Sequence, residues 1–227
     1  MKYMWSKNRI AKYLLPIILK DRKPNQWYVE PFVWGANMID KVEGNRIWSD
    51  FNEYLIEFLK WMQEDKEKTP YISKEKFEEI KNNISNFPKW LVWLSAFQLS
   101  FGSMWFWSYR RDNQWKRDYA EETIRNIEKQ KPKIKWIDFK FCSYKNLEIP
   151  KESIIYCDIP YKWTAKYKWV EEFNYEDFYN WCREKKKEGH TIFISEYNMP
   201  DDFKCVWQQE LTNNLNNKKA TEKLFTL

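Results

Sequence analysis

Along the chain, short apolar runs rich in β-branched residues alternate with longer stretches in which apolar residues recur every three or four positions. The first pattern predicts buried strands and the second amphipathic helices. Ile10, Leu14, Leu15, Ile17 and Ile18 predict a helix up to about Lys20, with Pro16 as a break or kink. Tyr28-Val29 reads as a short strand and Arg46 to Asp50 as a second that ends in an acid. Phe51 to Gln63 follows as a helix carrying Tyr54, Leu55, Phe58, Leu59 and Met62. Residues 64–68 and 74–81 are charge-mixed, helical or partly mobile. Pro88 introduces an apolar segment from Trp90 to Phe101, and Tyr119 to Lys131 predicts a helix closed by Pro132. Strands are then expected at Ile137 to Cys142, from Ile154 onward, and at Thr191 to Ser195. Between the last two lies a helix with Asn174 as N-cap, Asp177 at N3, an end near Lys187 and Gly189 as its stop. Strand signals at Cys205 to Trp207 and Leu224 to Thr226 flank a polar hairpin loop from Asn213 to Lys219. Strands alternating with helices place the chain in the α/β class with a mostly parallel sheet.

Composition narrows the class. A length of 227 residues is one domain, or one domain with an insertion. A charged fraction of 32% and a mean hydropathy of −0.84 argue for a soluble protein. No apolar run approaches the roughly 20 residues of a membrane span, and the N-terminus has no signal-peptide core. Arg9, Lys12, Lys20, Arg22 and Lys23 suggest a basic amphipathic helix there instead. The net charge of +6 fits a polyanionic partner, and a role in solubility accounts for it equally. Cys142, Cys157, Cys182 and Cys205 are widely spaced, and His190 is the only histidine. That inventory makes no zinc cluster, so no metal is implied and the cysteines read as free thiols. His190, at the start of a strand, reads as structural.

Three stretches carry candidate chemistry. In Ile154-Ile155-Tyr156-Cys157-Asp158-Ile159-Pro160-Tyr161 a buried strand runs into a proline that cannot continue a central ladder. Ile159, before proline, is pushed towards extended geometry. Asp158 and Tyr161 are thereby held at the carboxyl end of a strand, where open α/β sheets bind ligands. An ordinary Asp-x-Pro turn would leave the same letters. In the second stretch, Glu30-Pro31-Phe32-Val33-Trp34-Gly35 follows the first strand, and Asp50 ends the next, 20 residues after Glu30. A Gly-containing turn for close backbone approach and an acid for ribose hydroxyls is the order a nucleotide-like cofactor site requires. A plain turn with a solvated Asp fits too. In the third, between Phe101 and Asp118, aromatics interleave with Arg110, Arg111, Lys116 and Arg117. This suits either a nucleic-acid surface or a solvated basic loop over a core.

In this order, Glu30-Pro31-Phe32-x-x-Gly35, Ser49-Asp50-Phe51-Asn52 and Asp158-Ile159-Pro160-Tyr161 resemble the Dam-like (alpha-group) family of DNA adenine methyltransferases, over nearly the whole chain. The resemblance implies a Rossmann-like, S-adenosylmethionine-dependent methyltransferase sheet with a helical target-recognition insertion. Residues 1–63 and 137–227 would form the catalytic domain and 64–136 the insertion. The cofactor would be S-adenosyl-L-methionine. Tyr3 and Lys7 fall where the N-terminal segment touches it, Phe32 and Gly35 in the cofactor loop, Asp50 at the ribose, and Asp158 near both cofactor and base. The Asp158 carboxylate and the Ile159 carbonyl would accept hydrogen bonds from the exocyclic amine of adenine. Pro160 shapes the turn, and Tyr161 stacks on the flipped base. Ile159 stands where the family has its first proline. The Arg110, Arg111, Lys116 and Arg117 segment becomes the DNA-binding surface. The implied partner is double-stranded DNA, with or without a cognate restriction enzyme. The implied state is a monomer, and the implied setting the cytoplasm of a bacterial or phage-infected cell. Two other readings keep the fold: an RNA or protein amino-methyltransferase, and a DNA-binding pseudoenzyme.

Average usage would put roughly 16 glycines in a chain of this length; there are 4, with 15 tryptophans. Trp5, Trp34, Trp107 and Trp163 stand where the resembling family has glycine. Trp48, Trp93, Trp115, Trp136 and Trp169 are less clear cases, while Trp27, Trp105, Trp181 and Trp207 look native. Either many of these are opal codons read as glycine in the source, or the chain is a truly Trp-rich variant, active or inactive. The intact mass of the natively expressed protein decides. Recoding predicts a mass below that of the sequence by one tryptophan-to-glycine difference per site; a mass equal to that of the sequence excludes it.

Overall fold

The computed structural model describes residues 7–32, 36–112, 114, 116–162, 173–212 and 219–227. Seven strands form one sheet: β1 (Tyr28–Glu30), β2 (Arg46–Asp50), β3 (Ile137–Phe141), β4 (Ile154–Asp158), β5 (Thr191–Ser195), β6 (Lys204–Thr212) and β7 (Lys219–Thr226). Their order is β3-β2-β1-β4-β5-β7-β6. The first five are parallel, and β7 inserts antiparallel between β5 and β6. The helices are α1 (Ala11–Ile18), α2 (Glu53–Glu64), α3 (Lys74–Asn82), α4 (Lys89–Trp93), α5 (Tyr119–Ile134) and α6 (Tyr175–Lys187). The chain builds outward from β1 to β2 and β3, then returns to place β4 on the other side. The carboxyl ends of β1 and β4 therefore flank a topological switch point, the crevice in which open α/β sheets hold ligands.

The period of two along each strand sorts side chains onto two faces. Tyr28, Trp48, Phe139, Tyr156, Phe193 and Leu224 belong to one buried cluster, with α1, α2 and residues of α3, α4 and α5. Val29, Ile47, Ile155, Cys157, Ile192, Ile194 and Phe225 belong to the other, with Phe178, Trp181 and Cys182 of α6. Both faces of the parallel strands are covered, which is why those strands read as continuous apolar runs. Residues 64–136 contribute Phe77, Ile80, Val92, Trp93 and Ile127 to the first cluster, so the helical segment between β2 and β3 shares its core with that face.

The elements follow the sequence pattern, with adjustments. α2 starts at Glu53 rather than Phe51, because Asn52 is its N-cap and accepts from the Leu55 amide at 3.2 Å. α1 continues through Pro16 to Ile18, and α5 passes Pro132 and ends at Ile134. In α5 the proline removes one donor near the helix end, and burial of Ile127, Gln130, Lys131 and Ile134 outweighs that loss. The apolar segment after Pro88 is α4 followed by a π-helical turn from Leu94 to Gln98, buried throughout. β6 and β7 extend well beyond their apolar cores because each supplies the other's ladder, and Lys219 belongs to β7. The predicted loop residues 213–218 lie outside the described residues. His190 is buried and its Nδ1 accepts from the Ser153 amide at 3.1 Å, a structural role. No helix among the described residues is long and apolar enough to cross a membrane.

Of the tryptophans in question, Trp5, Trp34, Trp115, Trp163 and Trp169 lie outside the described residues. Trp107 and Trp136 are 66% and 78% exposed. Trp48 and Trp93 are buried, with indole N–H groups that find no acceptor among the described residues. None of the described tryptophans has a positive φ, so the left-handed backbone that favours glycine is not in use there.

Asn174 caps α6 by accepting from the Asp177 amide at 3.1 Å. Asn174→Ala is expected to lower unfolding stability by about 1 kcal/mol and Asn174→Gly by only a few tenths. Urea denaturation with an unchanged slope checks this.

Candidate active site at the carboxyl ends of the central strands

Strand parity brings the polar residues together. Asp158 ends β4 two residues after Tyr156, Glu30 ends β1 two after Tyr28, and Asp50 ends β2 two after Trp48, so all three share the first cluster's face. β7 joins them from an unexpected direction. Asp158 is opposite Ser195 on β5, and Ser195 is opposite Leu224 on β7. β7 runs antiparallel, so Glu222, two residues before Leu224, projects past the end of β5 on the same face. Lys7 arrives from the short 3-10 turn ahead of α1, and α1 packs on that face.

The result is a buried charged network. Lys7 is 5% exposed. Its Nζ donates to the Tyr161 hydroxyl at 2.5 Å and to Glu222 Oε2 at 3.2 Å, and lies 3.3 Å from Asp158 Oδ1. The Tyr161 hydroxyl donates to Glu222 Oε2 at 2.8 Å. Nζ is 4.4 Å from the Tyr161 ring centroid, so it sits at the phenol's oxygen end rather than over the ring face. Burial opposes the Lys7 charge, but the facing Asp158 and Glu222 carboxylates outweigh it and hold the ammonium above its ordinary value. Burial pushes the Asp158 carboxyl up to about 6, with Lys7 opposing the rise and Glu222 adding to it. Burial also pushes Glu30 well above the usual carboxylate range, although the Tyr28 hydroxyl donates to it at 2.8 Å. Burial, Asp158 and Glu222 keep Tyr161 a neutral phenol.

The turn after β4 is anchored on every side. The Pro160 carbonyl accepts from the Tyr175 hydroxyl at 2.9 Å. The Lys162 amide donates to Glu196 Oε2 at 3.1 Å, and the Tyr197 amide donates to Glu196 Oε1 at 2.5 Å. Tyr161 and Tyr197 meet edge to face at 4.6 Å. Ile159 is 2% exposed in the second cluster, so side-chain packing holds the position where a proline ring would otherwise restrict the backbone.

The other expected residues separate. Asp50 Oδ1 accepts from the Asn52 amide at 2.8 Å, and its carbonyl accepts from the Cys142 amide. Beside it Phe51 and Phe141 are 72% and 50% exposed with ring centroids 6.3 Å apart. Phe32 packs its ring on Tyr144 and Phe178, in the second cluster. Tyr3 and Gly35 lie outside the described residues. Arg110 and Arg117 hold their guanidiniums 4.0 and 5.1 Å from the Tyr119 ring centroid, and Arg117 Nη2 pairs with Glu122 at 2.6 Å. Arg111 and Lys116 are exposed, on a loop that Asp112 braces by accepting from the Gln114 and Lys116 amides. Sequence reasoning missed Glu222 and the Phe51–Phe141 pair. The position of Glu196 just after the strand Thr191 to Ser195 marks it as lying on the ligand side, and its bracing of the turn is what the structure adds.

No family model matches the chain, and neither does any curated protein. Among solved structures 29 chains match. One is the crystal structure of SMU.472, a candidate methyltransferase complexed with SAH. It aligns at 10% identity and a TM-score of 0.42 over 97% of this chain and 52% of its own. The chain thus spans about half the length of that protein, and likeness at this level assigns no chemistry.

Lys7→Met would leave the Asp158 and Glu222 carboxylates facing each other without the ammonium between them. The expected loss is about 3–5 kcal/mol at pH 8. Asp158 is already raised above its unfolded value of 3.8, so its neutral form favours folding, and that favour fades as pH rises through about 6. Removing Lys7 raises it further, so the deficit should shrink as pH falls towards 5. Thermal unfolding across pH checks both the loss and its direction.

Proposed function

We propose that the chain is an S-adenosylmethionine-dependent methyltransferase acting on the exocyclic amine of adenine in double-stranded DNA. The observation that carries this reading is the convergence of Asp158, Tyr161 and Lys7 at the switch point of the sheet, with Asp50 apart from them at the end of β2, on the far side of β1. The chain's residues fit the cofactor. Asp50 supplies a carboxylate for vicinal ribose hydroxyls, and the exposed Phe51 and Phe141 rings beside it offer faces for an adenine. The carboxylates around Asp158 favour a cationic sulfonium. When bound, that cofactor supplies an activated methyl group.

The protein's part is orientation and charge placement. An exocyclic amine is a weak nucleophile because its lone pair is delocalised into the ring. The ionised Asp158 carboxylate and the Ile159 carbonyl accept its hydrogens and localise that pair. Tyr161, held at its hydroxyl, presents a ring for stacking against a base taken out of the duplex. Proximity supplies most of the rate. DNA as substrate rests on the motif order and on the basic loop, where Arg111 and Lys116 are exposed to meet phosphates. A second reading, a DNA-binding pseudoenzyme, draws on Ile159 in place of proline and on Trp34 within the cofactor loop.

Labelled methyl should pass from S-adenosylmethionine to adenine in unmethylated DNA, and Asp158→Ala should cut this by about 10²-fold or more. Silence in the wild type that persists with glycine at Trp5, Trp34, Trp107 and Trp163 would reject the reading. The joint variant Arg111→Ala with Lys116→Ala should flatten the salt dependence of DNA binding by about 0.9 in log–log slope for each phosphate that is no longer neutralised.

A further inference from the structure

We infer that Glu222, on the antiparallel strand β7, is a positioning residue of the Asp158 centre, locking the Tyr161 hydroxyl and sharing the Lys7 ammonium with Asp158. This deepens the methyltransferase reading and rests on it. Donor chemistry dictates the direction of the network. A lysine ammonium only donates, so the Tyr161 oxygen must accept from it, and the tyrosine's own hydrogen goes to Glu222. The phenol is thus pinned through both its acceptor and its donor, which sets the hydroxyl direction and limits movement of the ring expected to stack on the base. Glu222 and Asp158 share the ammonium, with Nζ 3.2 Å from the first carboxylate and 3.3 Å from the second.

The charge balance around Asp158 makes the role measurable. Among the described residues, the groups facing it are Lys7 ahead of α1, Glu30 on β1, Tyr156 on β4, Tyr161 in the turn, Glu196 after β5 and Glu222 on β7. They hold one cation among four carboxyl groups, Asp158 included. Glu222 is among the groups that raise Asp158, and Lys7 opposes it. Asp158 must be ionised to accept the amine's hydrogens, so the acid limb of the reaction follows its titration.

Two variants separate positioning from simple support of the fold. Glu222→Gln keeps an oxygen that can accept from Tyr161 and removes the charge. It should retain methyl transfer, with the acid limb of kcat/KM displaced to lower pH. Glu222→Leu removes the acceptor as well and should lose activity on the order of 10²-fold, the cost of a misplaced group. An unmoved limb in Glu222→Gln, or equal activity losses in both variants at every pH, overturns the inference. Thermal unfolding of wild type and Glu222→Gln across pH 4–8 gives a readout independent of catalysis. The wild type should gain stability as pH falls through about 6, and Glu222→Gln should gain less. No transfer by the wild type, or by the chain with glycine at the four tryptophan sites, defeats the reaction assignment. The melting series then judges the placement of Glu222 by itself, and identical pH dependence in both proteins overturns it.

Discussion

A lysine ammonium buried among carboxylates is the constraint on which this molecule turns. Taking Lys7 and its partners out of water costs several kcal/mol per ion, which only close and complete pairing recovers. Here recovery requires three distant parts of the chain: the turn before α1, the turn after β4 and the far end of β7. An arrangement that expensive adds little stability over a well-packed apolar core. It does fix one ring, one carboxylate and one cation relative to each other at the end of the sheet.

The sheet makes that arrangement reachable. Reversal of strand order between β1 and β4 opens the crevice, and strand parity puts Glu30, Asp50 and Asp158 on the same face. The antiparallel β7 lets a residue from the opposite chain direction extend past the end of β5. A sixth parallel strand would have placed its carboxyl end there instead, and Glu222 would not reach Asp158. The hairpin therefore does more than close the sheet edge: it delivers the second carboxylate.

Much of the fold was legible because the strands and helices follow local rules. The run Ile154 to Asp158 and the Asn174 cap declared themselves in a few residues. Pro132 misled because tertiary burial of α5 outweighs one lost hydrogen bond. The polar halves of β6 and β7 gave no strand signal, since an edge hairpin needs no alternating apolar face. Asp158, Tyr161 and Lys7 were singled out through motif resemblance, and the structure brings those three together. Glu222 was invisible because its role depends on long-range register, which no local pattern encodes.

The reaction proposed for this crevice is transfer of a methyl group to adenine. Nucleoside mass spectrometry of unmethylated DNA, digested after incubation with the protein and S-adenosylmethionine, tests it most directly. The expected product is adenine methylated at its exocyclic nitrogen, with none formed when the cofactor is omitted. Only unmodified nucleosides, from the chain as written and from the chain with glycine at Trp5, Trp34, Trp107 and Trp163, would contradict it.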